Sequence, residues 1–421
     1  MTSSALLLLV SYIAVRLFGC AATFLNLRHM RGAGTLVPAE LDGFVEPQTL
    51  IRAQAYESDK ARFGISASLF DAAVTVVFIF GGLLTWYDGW IRSFQLPFIT
   101  EGIVFMLGLY LAGEIIDIPF ALYGAFRVEA RHGFNTMTFR IWLLDFVKST
   151  LISLVIMAFV AAVAFWLIRS SPLHWWFWVW LFMLSFSLFV MYIAPYVIEP
   201  LFNKFEPVKD EELAGKIVTL CARAGIHAGK VQQMDASKRS RHSNAYFTGI
   251  GKVKRIVLFD TLIAQMTHAE ICAVLAHEIG HWKKRHVLKS IVLMQAFSFA
   301  GLYAAYHLVQ GDLPGRLFGA DVQTLVGRFI LIGFIGGLVM FPLRPLMLAW
   351  SRHNERQADR FSFDLTGDSE SMATSLIKLS KENLSNLHPH PLYVAVHYSH
   401  PPIVERVKTI RAFGKAEERQ E

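Results

Sequence analysis

The amino-acid sequence predicts a mainly α-helical, polytopic membrane protein that also carries a soluble domain. Three observations predict this fold class. Hydrophobic residues make up 54% of the 421-residue chain and charged residues only 17%, a balance too apolar for a soluble domain. Seven apolar stretches have the length that a bilayer crossing needs, about 20 helical residues. Two long polar segments follow the fifth and the seventh of these stretches.

The first predicted span is expected to be an uncleaved helix, because no Lys or Arg precedes its apolar run. The third span carries Glu114 and Asp117. Acidic residues at membrane depth usually face a wet cavity inside the protein, so they indicate an internal water-filled space, although a position at the membrane interface explains them equally well. The seven predicted spans are Ala5 to Leu25, Leu69 to Tyr87, Gly102 to Tyr123, Leu151 to Ile168, Trp175 to Ala194, Val287 to Val309, and Leu325 to Trp350.

Basic residues predict how the chain is oriented. The loops after the first, third and fifth spans are rich in Lys and Arg, whereas the alternate loops hold little beyond Arg92, Arg169 and Arg316. The positive-inside rule therefore predicts an N-terminus outside and a C-terminus in the cytoplasm. The net charge of +7 fits loops that contact an anionic leaflet, and no nucleic-acid partner is expected.

This topology divides the chain into four segments. Residues 1–194 form the membrane region with five spans, and residues 287–350 form a transmembrane hairpin. Residues 195–286 and 351–421 lie on the same side of the membrane and are expected to pack as one cytoplasmic domain.

The first cytoplasmic segment carries a predicted β-hairpin and a predicted helix start. Ala245 to Thr248 and Val253 to Phe259 are β-prone, and the turn-forming residues Gly249 to Gly251 separate them. Thr267 with Glu270 three residues later forms a capping-box pattern ahead of an apolar run.

The helix after this cap contains the pattern typical of a zinc site. His277 and His281 are four residues apart, so both imidazoles project from one helix face and share one metal ion. Glu278 lies beside them, where it is placed to take a proton from the attacking water and to pass it to the leaving amine. A polar helix face with solvated histidines is the plain alternative.

A catalytic zinc ion needs three protein ligands, and Glu355 supplies a candidate for the third. Asp359 lies one helical turn later and is placed to hydrogen-bond the outer nitrogen of a ligating histidine. Such a carboxylate pair is common on helix surfaces, but this one directly follows the seventh span. The two halves of the site thus lie on the two arms of one transmembrane hairpin, within about 10 Å of the bilayer surface, which favours a membrane-associated substrate.

Other histidines are expected to lie outside the ligand set. His286 is five residues from His281, an offset that rotates it away from the zinc-binding face of a continuous helix. His242, His268 and His353 have no partner at ligand spacing.

Several longer runs resemble the CAAX prenyl protease 1 family of integral-membrane zinc endopeptidases. The resemblance implies a seven-helix barrel around a large chamber, closed on the cytoplasmic side by a gluzincin-type zinc domain. It covers nearly the whole chain. The runs are Tyr56 with Asp59 and Lys60, Glu129 with Arg131 to Asn135, Pro200 to Phe205, Ser237 to Ser240, His242 to Phe247, His277 to Trp282, Glu355 to Asp359, and His400 to Pro402 with Glu405 and Arg406.

Carried over position by position, the resemblance makes His277, His281 and Glu355 the ligands of one Zn²⁺ and Glu278 the general base. Asp359 matches a supporting carboxylate that is sometimes described as a proton donor.

The resemblance also places Asn244 and His400 in the cleft beside the metal. Asn244 opens a segment that is suited to bind an extended peptide through an exposed strand edge, although a plain turn residue is an equal alternative. His400 is suited to donate to the developing oxyanion, or is simply a helix-entry histidine. Arg406 is expected to orient that site or to support its charge.

The predicted function is a membrane-embedded zinc metalloendopeptidase that cleaves near the C-terminus of prenylated or other membrane-associated proteins. The stretch from Leu262 to Ile271 lacks the long insertion of eukaryotic relatives, and Glu418 to Glu421 shows no retrieval signal, so a bacterial inner membrane is favoured. General quality control of membrane proteins is the first alternative. A non-catalytic transporter or chamber protein is the second, and an intact Glu278 argues against it.

Overall fold

The structure is a computed structural model that describes residues 2–248, 253–311 and 313–417. It is mainly α-helical, as predicted. The helices are α1 (Ser3–Ala33), α2 (Pro47–Phe80), α3 (Leu83–Ser93), α4 (Phe98–Tyr123), α5 (Phe139–Ser170), α6 (Trp175–Val197), α7 (Glu211–Arg223), α8 (Asp260–Gln265), α9 (His268–Lys283), α10 (His286–Gln310), α11 (Leu313–Phe318), α12 (Leu325–Met340), α13 (Arg344–Thr366), α14 (Ser369–Glu382), α15 (Pro391–His397) and α16 (Ile403–Glu417).

Seven helical segments of the described chain are long and apolar enough to cross a membrane, which confirms the predicted number. Their mutual contacts form a ring in which α1 packs on α2, α4 on α5, α5 on α6, α6 on α10, α10 on α12, and α12 on α1. The ring closes between α2 and α4 through α3 and through a six-residue π-helical segment, Gly124–Glu129, that continues α4.

The ring encloses an open interior. None of the residues in the apolar window of α10 is buried, and only 6% are buried in the corresponding windows of α2, α4 and α6. Helices of a solid bundle bury one side against their neighbours. These helices instead leave both the outer and the inner side of the wall accessible, as the predicted barrel requires.

The second predicted span is wrong at its end. Leu69 to Tyr87 was expected to be one helix, but α2 ends at Phe80 and α3 begins at Leu83. Gly82 adopts a left-handed conformation with φ of 85°, which a residue without Cβ reaches at no steric cost. The Gly81–Gly82 pair therefore breaks the helix inside an otherwise apolar stretch.

The soluble part contains one four-stranded sheet rather than an isolated hairpin. Its strands are β1 (Phe205–Pro207), β2 (His227–Met234), β3 (Ala245–Thr248) and β4 (Val253–Phe259), in the spatial order β1-β2-β4-β3. The predicted antiparallel pairing of β3 with β4 is confirmed, whereas the turn predicted at Gly249 to Gly251 lies outside the described residues. The sequence did not indicate β1 and β2, because β1 has three residues and β2 lacks apolar alternation.

The sheet supports the helix that carries the metal-binding pattern. Ile271, Leu275 and Ile279 of α9 are fully buried against apolar residues of β4 and α7. On its other sides α9 packs against α13 and α14, which come from the second polar segment. The helix is thus held by both polar segments of the chain, and the side chains on it are fixed in position.

Candidate metal centre

Two helices bring three potential metal ligands together. His277 and His281 project from one face of α9, and Glu355 faces them from α13. His277 Nε2 lies 3.1 Å from His281 Nε2. Each of these nitrogens lies 3.3 Å from a carboxylate oxygen of Glu355. Within residues 2–248, 253–311 and 313–417 they form the one group of potential ligands whose donor atoms all lie within 4.8 Å of one another.

The triangle of donor atoms has the size that a zinc ion requires. Ligand atoms about 2.0–2.1 Å from a tetrahedral zinc ion lie roughly 3.3–3.4 Å from one another. His277 Nε2 lies 3.1 Å from His281 Nε2 and 3.3 Å from Glu355 Oε2, and His281 Nε2 lies 3.3 Å from Glu355 Oε1, so each of these contacts matches the spacing. Glu355 Oε2 is buried and lacks a hydrogen bond of good geometry from any described residue, with His277 Nε2 at 3.3 Å and Arg406 Nη2 at 3.9 Å. A buried carboxylate oxygen without a donor is costly, and a cation at the centre of the triangle would compensate for it.

A glycine allows the two helices to approach closely enough. Gly280 lies on α9 between His277 and His281, and it faces Ala358 of α13. A Cβ at position 280 would lie 3.1 Å from the Cα and 3.2 Å from the carbonyl oxygen of Ala358. Any side chain there would be in tighter than ordinary contact with α13, so the two helices would have to separate by a few tenths of an ångström.

The outer nitrogen of His277 contacts the predicted supporting carboxylate. His277 Nδ1 lies 2.8 Å from Asp359 Oδ1. Burial lowers the pKa of His277, but the carboxylates of Asp359 and Glu355 outweigh it and raise that pKa to about 9. The negative charge around this imidazole therefore favours a positive charge, either a proton on the ring or a metal ion beside it.

Arg406 compensates the buried charge of Asp359. Its Nε donates to Oδ2 at 2.9 Å and its Nη2 to Oδ1 at 2.6 Å, and both side chains are almost fully buried. Burial lowers the pKa of Arg406, but Asp359, then Glu355 and Glu278, raise it above its usual value. Arg406 is thus an ion-pair partner of Asp359 beneath the metal centre.

Replacing Arg406 by methionine is expected to destabilise the protein, because it leaves Asp359 buried without its partner. Breaking one side of a buried ion pair costs about 3–5 kcal/mol. The thermal unfolding midpoint of the full chain in detergent measures the effect. Lys408→Met removes the same charge from the exposed side of α16 and should change the midpoint little. Equal midpoints for the two variants would contradict the assigned ion pair.

The outer nitrogen of His281 contacts His286, a histidine that was expected to lie outside the ligand set and to point away from it. His286 Nδ1 lies 3.0 Å from His281 Nδ1. The expectation that His286 points away was wrong, because the helix is not continuous: α9 ends at Lys283, and Arg285 has a left-handed backbone with φ of 57°. The break returns the His286 side chain to the metal centre, and no signal in the sequence pattern indicated it.

These contacts continue as a chain of hydrogen bonds to the surface. His286 Nε2 lies 3.0 Å from Gln357 Oε1, and Gln357 Nε2 lies 2.8 Å from His353 Nε2. If the lone pair of His281 Nε2 is directed at the other ligands, the ring proton lies on Nδ1 and is donated to His286 Nδ1. His286 Nε2 then donates to Gln357 Oε1, and Gln357 Nε2 donates to His353 Nε2, so each contact joins a donor to an acceptor. His286 therefore fixes the tautomer and the ring orientation of His281.

Replacing His286 by phenylalanine is expected to weaken zinc binding about 10–100-fold, because it removes the acceptor for His281 Nδ1. His286→Gln should restore much of the affinity, since its amide oxygen accepts the same proton. Competition with a chelator on the full chain measures the affinity, and His307→Phe, near the other end of α10, is the matched control. If the His286→Phe and His286→Gln variants bound zinc with equal affinity, the role of His286 as hydrogen-bond acceptor for His281 would be contradicted.

The remaining predicted site residues lie around this centre. Glu278 is half-buried on α9, and its negative charge contributes to the raised pKa of Arg406. His400 Nε2 lies 3.4 Å from Glu355 Oε1, and the His400 side chain is 60% exposed, so its ring is accessible. Asn244 is exposed and immediately precedes β3, an edge strand of the sheet that contacts α9.

Comparisons with known proteins identify relatives along the whole length. Residues 26–204 match the family model of the CAAX prenyl protease N-terminal region with five membrane helices, and residues 207–413 match that of peptidase family M48. The CAAX prenyl protease 1 homolog of Arabidopsis thaliana is 36% identical over 404 residues, 92% of this chain and 93% of the relative. A Bacillus subtilis protein, the uncharacterized metalloprotease YhfN, is 30% identical over 91% of this chain and 90% of its own.

A solved structure shows the same fold. The crystal structure of S. mikatae Ste24p superposes with a TM-score of 0.90 at 29% sequence identity, over 97% of this chain and 99% of that one. The likeness spans both the membrane ring and the soluble part.

Proposed function

The chain belongs to the CAAX prenyl protease 1 family of membrane metalloendopeptidases, and from this membership we propose that it uses one zinc ion, held by His277, His281 and Glu355, to hydrolyse peptide bonds near the C-terminus of prenylated proteins. The observation that carries the metal assignment is the convergence of three buried or half-buried ligand groups: the two histidine Nε2 atoms lie 3.1 Å apart, and each lies 3.3 Å from one oxygen of the Glu355 carboxylate. Family membership also argues against the non-catalytic alternatives.

The chain's own residues perform the proton transfers. A bound zinc ion would supply Lewis acidity and lower the pKa of water to about 7. Glu278, one residue after His277, accepts the proton of the attacking water as its oxygen bonds to the scissile carbonyl carbon. Glu278 then delivers that proton to the amide nitrogen as the carbon–nitrogen bond breaks. His400, accessible at 3.4 Å from Glu355, donates to the carbonyl oxygen where negative charge develops.

The remaining groups position the ligands and the substrate. Asp359, held by Arg406, orients His277, and His286 orients His281. The free edge of β3, which begins after Asn244, offers backbone groups to an extended substrate. A peptide bound along this edge would run beside α9, the helix that carries Glu278.

A prenylated substrate is supported by the location of the centre. The metal-binding helix α9 ends three residues before α10, a membrane span, and Glu355 lies on α13, which continues the last span. A cleavage site close to a lipid anchor therefore reaches the metal while the prenyl group remains at membrane depth. The relatives named as CAAX prenyl proteases agree with such a substrate.

Cleavage of a farnesylated C-terminal peptide by the purified full chain tests the substrate. The same peptide without the lipid is the matched comparison, and we expect the farnesylated peptide to be cleaved at least about tenfold more efficiently, because burial of the prenyl chain contributes about 0.8 kcal/mol per CH₂ group. Equal cleavage of both peptides would contradict the prenyl specificity and would favour general membrane-protein turnover.

We also propose that the N-terminus lies outside and the metal domain in the cytoplasm, in a bacterial inner membrane. The Lys and Arg residues of the first, third and fifth loops support the orientation. Labelling of single cysteines, placed in turn in the Arg169 loop and in α16, with a membrane-impermeant reagent tests it. Labelling of α16 in intact cells would contradict it.

A further inference from the structure

A pocket lies in the helical ring where α2 faces α4 and the π-helical segment that continues it. Between α2 and α4 a cavity of about 560 Å³, here called the seam pocket, faces neither the metal nor its ligands. This volume lies within the usual range for small-molecule sites, about 300–1,000 Å³. The walls combine three arginines with an aromatic group, namely Arg62, Arg127, Arg131, Phe63, Phe120 and Tyr123.

Among the described residues, one of the three arginines forms a direct ion pair with a carboxylate, and Arg62 acts on that same carboxylate only through its charge. Arg131 Nη1 lies 3.0 Å from Asp59 Oδ2, the one carboxylate in the wall, and His132 Nε2 contacts the same oxygen at 2.9 Å. The guanidinium groups of Arg62 and Arg127 form no hydrogen bond or ion-pair contact with any residue that the structure describes. Arg62 and Arg127 are exposed, so the pocket presents two accessible guanidinium groups without a hydrogen-bonded carboxylate, a chemistry suited to a phosphate.

Aromatic rings of α2 and α4 line the pocket beside the arginines. The rings of Phe63 and Tyr123 lie 5.3 Å apart across the seam, and those of Phe70 and Phe120 lie 4.9 Å apart. Tyr123 is nevertheless 52% exposed, so apolar surface continues directly from the arginines. A free phosphate would leave these rings uncovered, whereas an acyl chain attached to a phosphate would cover them.

The backbone of α4 changes its geometry where it supplies Arg127. The segment Gly124–Glu129 is π-helical, a rare form that occurs mainly at functional sites and that rotates the side chains beyond it. It follows Pro119, which lines the pocket. The extra residue per turn places Arg127 on the side of α4 that faces α2.

The two arginines lie just beyond the apolar parts of their helices, where their side chains can reach the headgroup layer. The apolar part of α2 begins near Leu69, so Arg62 lies about 10 Å along the axis beyond it, and Arg127 lies roughly 6 Å beyond Tyr123. The headgroup layer extends about 5–7 Å beyond the hydrocarbon core, and an arginine side chain reaches several ångströms back towards the membrane. The pocket also lies on the membrane face of the metal domain, because His242 of that domain contacts Glu129.

We propose that the seam pocket binds the headgroup phosphate of an anionic phospholipid between Arg62 and Arg127, with an acyl chain against Phe63, Phe120 and Tyr123. The bound lipid bridges α2 and α4, which meet through α3 and through the π-helical segment. This site is separate from the peptidase centre and requires no part of the catalytic machinery.

Native mass spectrometry of the full chain, with phosphatidylglycerol or phosphatidylcholine added, tests the proposal. The wild type should bind phosphatidylglycerol preferentially. The double variant Arg62→Gln/Arg127→Gln should bind it about 25-fold more weakly, a factor of about five for each arginine. The double variant Arg92→Gln/Arg169→Gln removes the same charge from exposed positions at the opposite membrane face and should bind like the wild type.

Further variants and competing ligands distinguish a lipid from other ligands, and a stability measurement controls for misfolding. Arg62→Lys/Arg127→Lys keeps the charge and should retain the lipid preference, and every variant is compared by its thermal midpoint in phosphatidylcholine alone. Equal affinity for the two lipids, or no effect of the glutamines, would overturn the proposal. Displacement by glycerol 3-phosphate at equal affinity would indicate a small-anion site instead, and one-for-one displacement by a farnesylated peptide would indicate a substrate site.

Discussion

Replacing Glu278 by glutamine is expected to lower kcat by about 10²–10⁴-fold while the protein keeps its metal. The amide has nearly the same shape as the carboxylate but cannot accept the proton of the attacking water. Since the three proposed ligands are His277, His281 and Glu355, the substitution should leave their contacts intact. Single-turnover cleavage of a C-terminal peptide measures the rate, and elemental analysis of the same preparation measures the zinc.

The matched control for this variant is Glu212→Gln, which changes the same chemical group at a highly exposed position of α7. It should cleave at the wild-type rate. A Glu278→Gln protein that retains zinc and cleaves normally would contradict the role of Glu278 as the base. Loss of zinc together with activity would instead show that Glu278 contributes to the metal site itself.

Replacing Glu355 by alanine is expected to release the metal. It removes one of three protein ligands, a larger change than the loss of a group behind a ligand, which alone costs about 10–100-fold in affinity. The zinc dissociation constant should therefore rise more than about 100-fold, and activity should fall in proportion to the zinc lost. The affinity is measured by chelator competition, with excess zinc added back to test for rescue.

Asp364→Ala is the matched control for the ligand variant. Asp364 lies on the same helix and is half exposed, and its ion pair with Arg360 lies away from the metal centre. It should keep the wild-type affinity. Equal zinc affinity of the Glu355→Ala variant and the wild type would show that the third ligand lies elsewhere in the chain.

The features that the sequence predicts best are those that depend on local pattern. Each of the seven spans has a long apolar window with few charges, and the capping box at Thr267 and Glu270 forms as expected, with Thr267 N donating to Glu270 Oε2 at 2.8 Å. The i to i+4 spacing of His277 and His281 places both rings on one face, because a helix repeats every 3.6 residues.

What the sequence could not predict depends on tertiary contacts or on single backbone torsions. Arg285 adopts a left-handed conformation that no pattern requires, and it brings His286 to His281. The close approach at Gly280 is visible only once α13 lies against α9. The seam pocket likewise requires the ring order of the helices, because its arginines lie 65 residues apart in the sequence, at Arg62 and Arg127.

Anomalous diffraction at the zinc absorption edge, from crystals of the full chain purified without chelators, tests the central claim most directly. The geometry predicts one peak per chain, within about 2.0–2.2 Å of His277 Nε2, His281 Nε2 and a carboxylate oxygen of Glu355. A zinc peak held by other residues, or no peak at this triangle after zinc is added, would contradict the assignment of the metal centre.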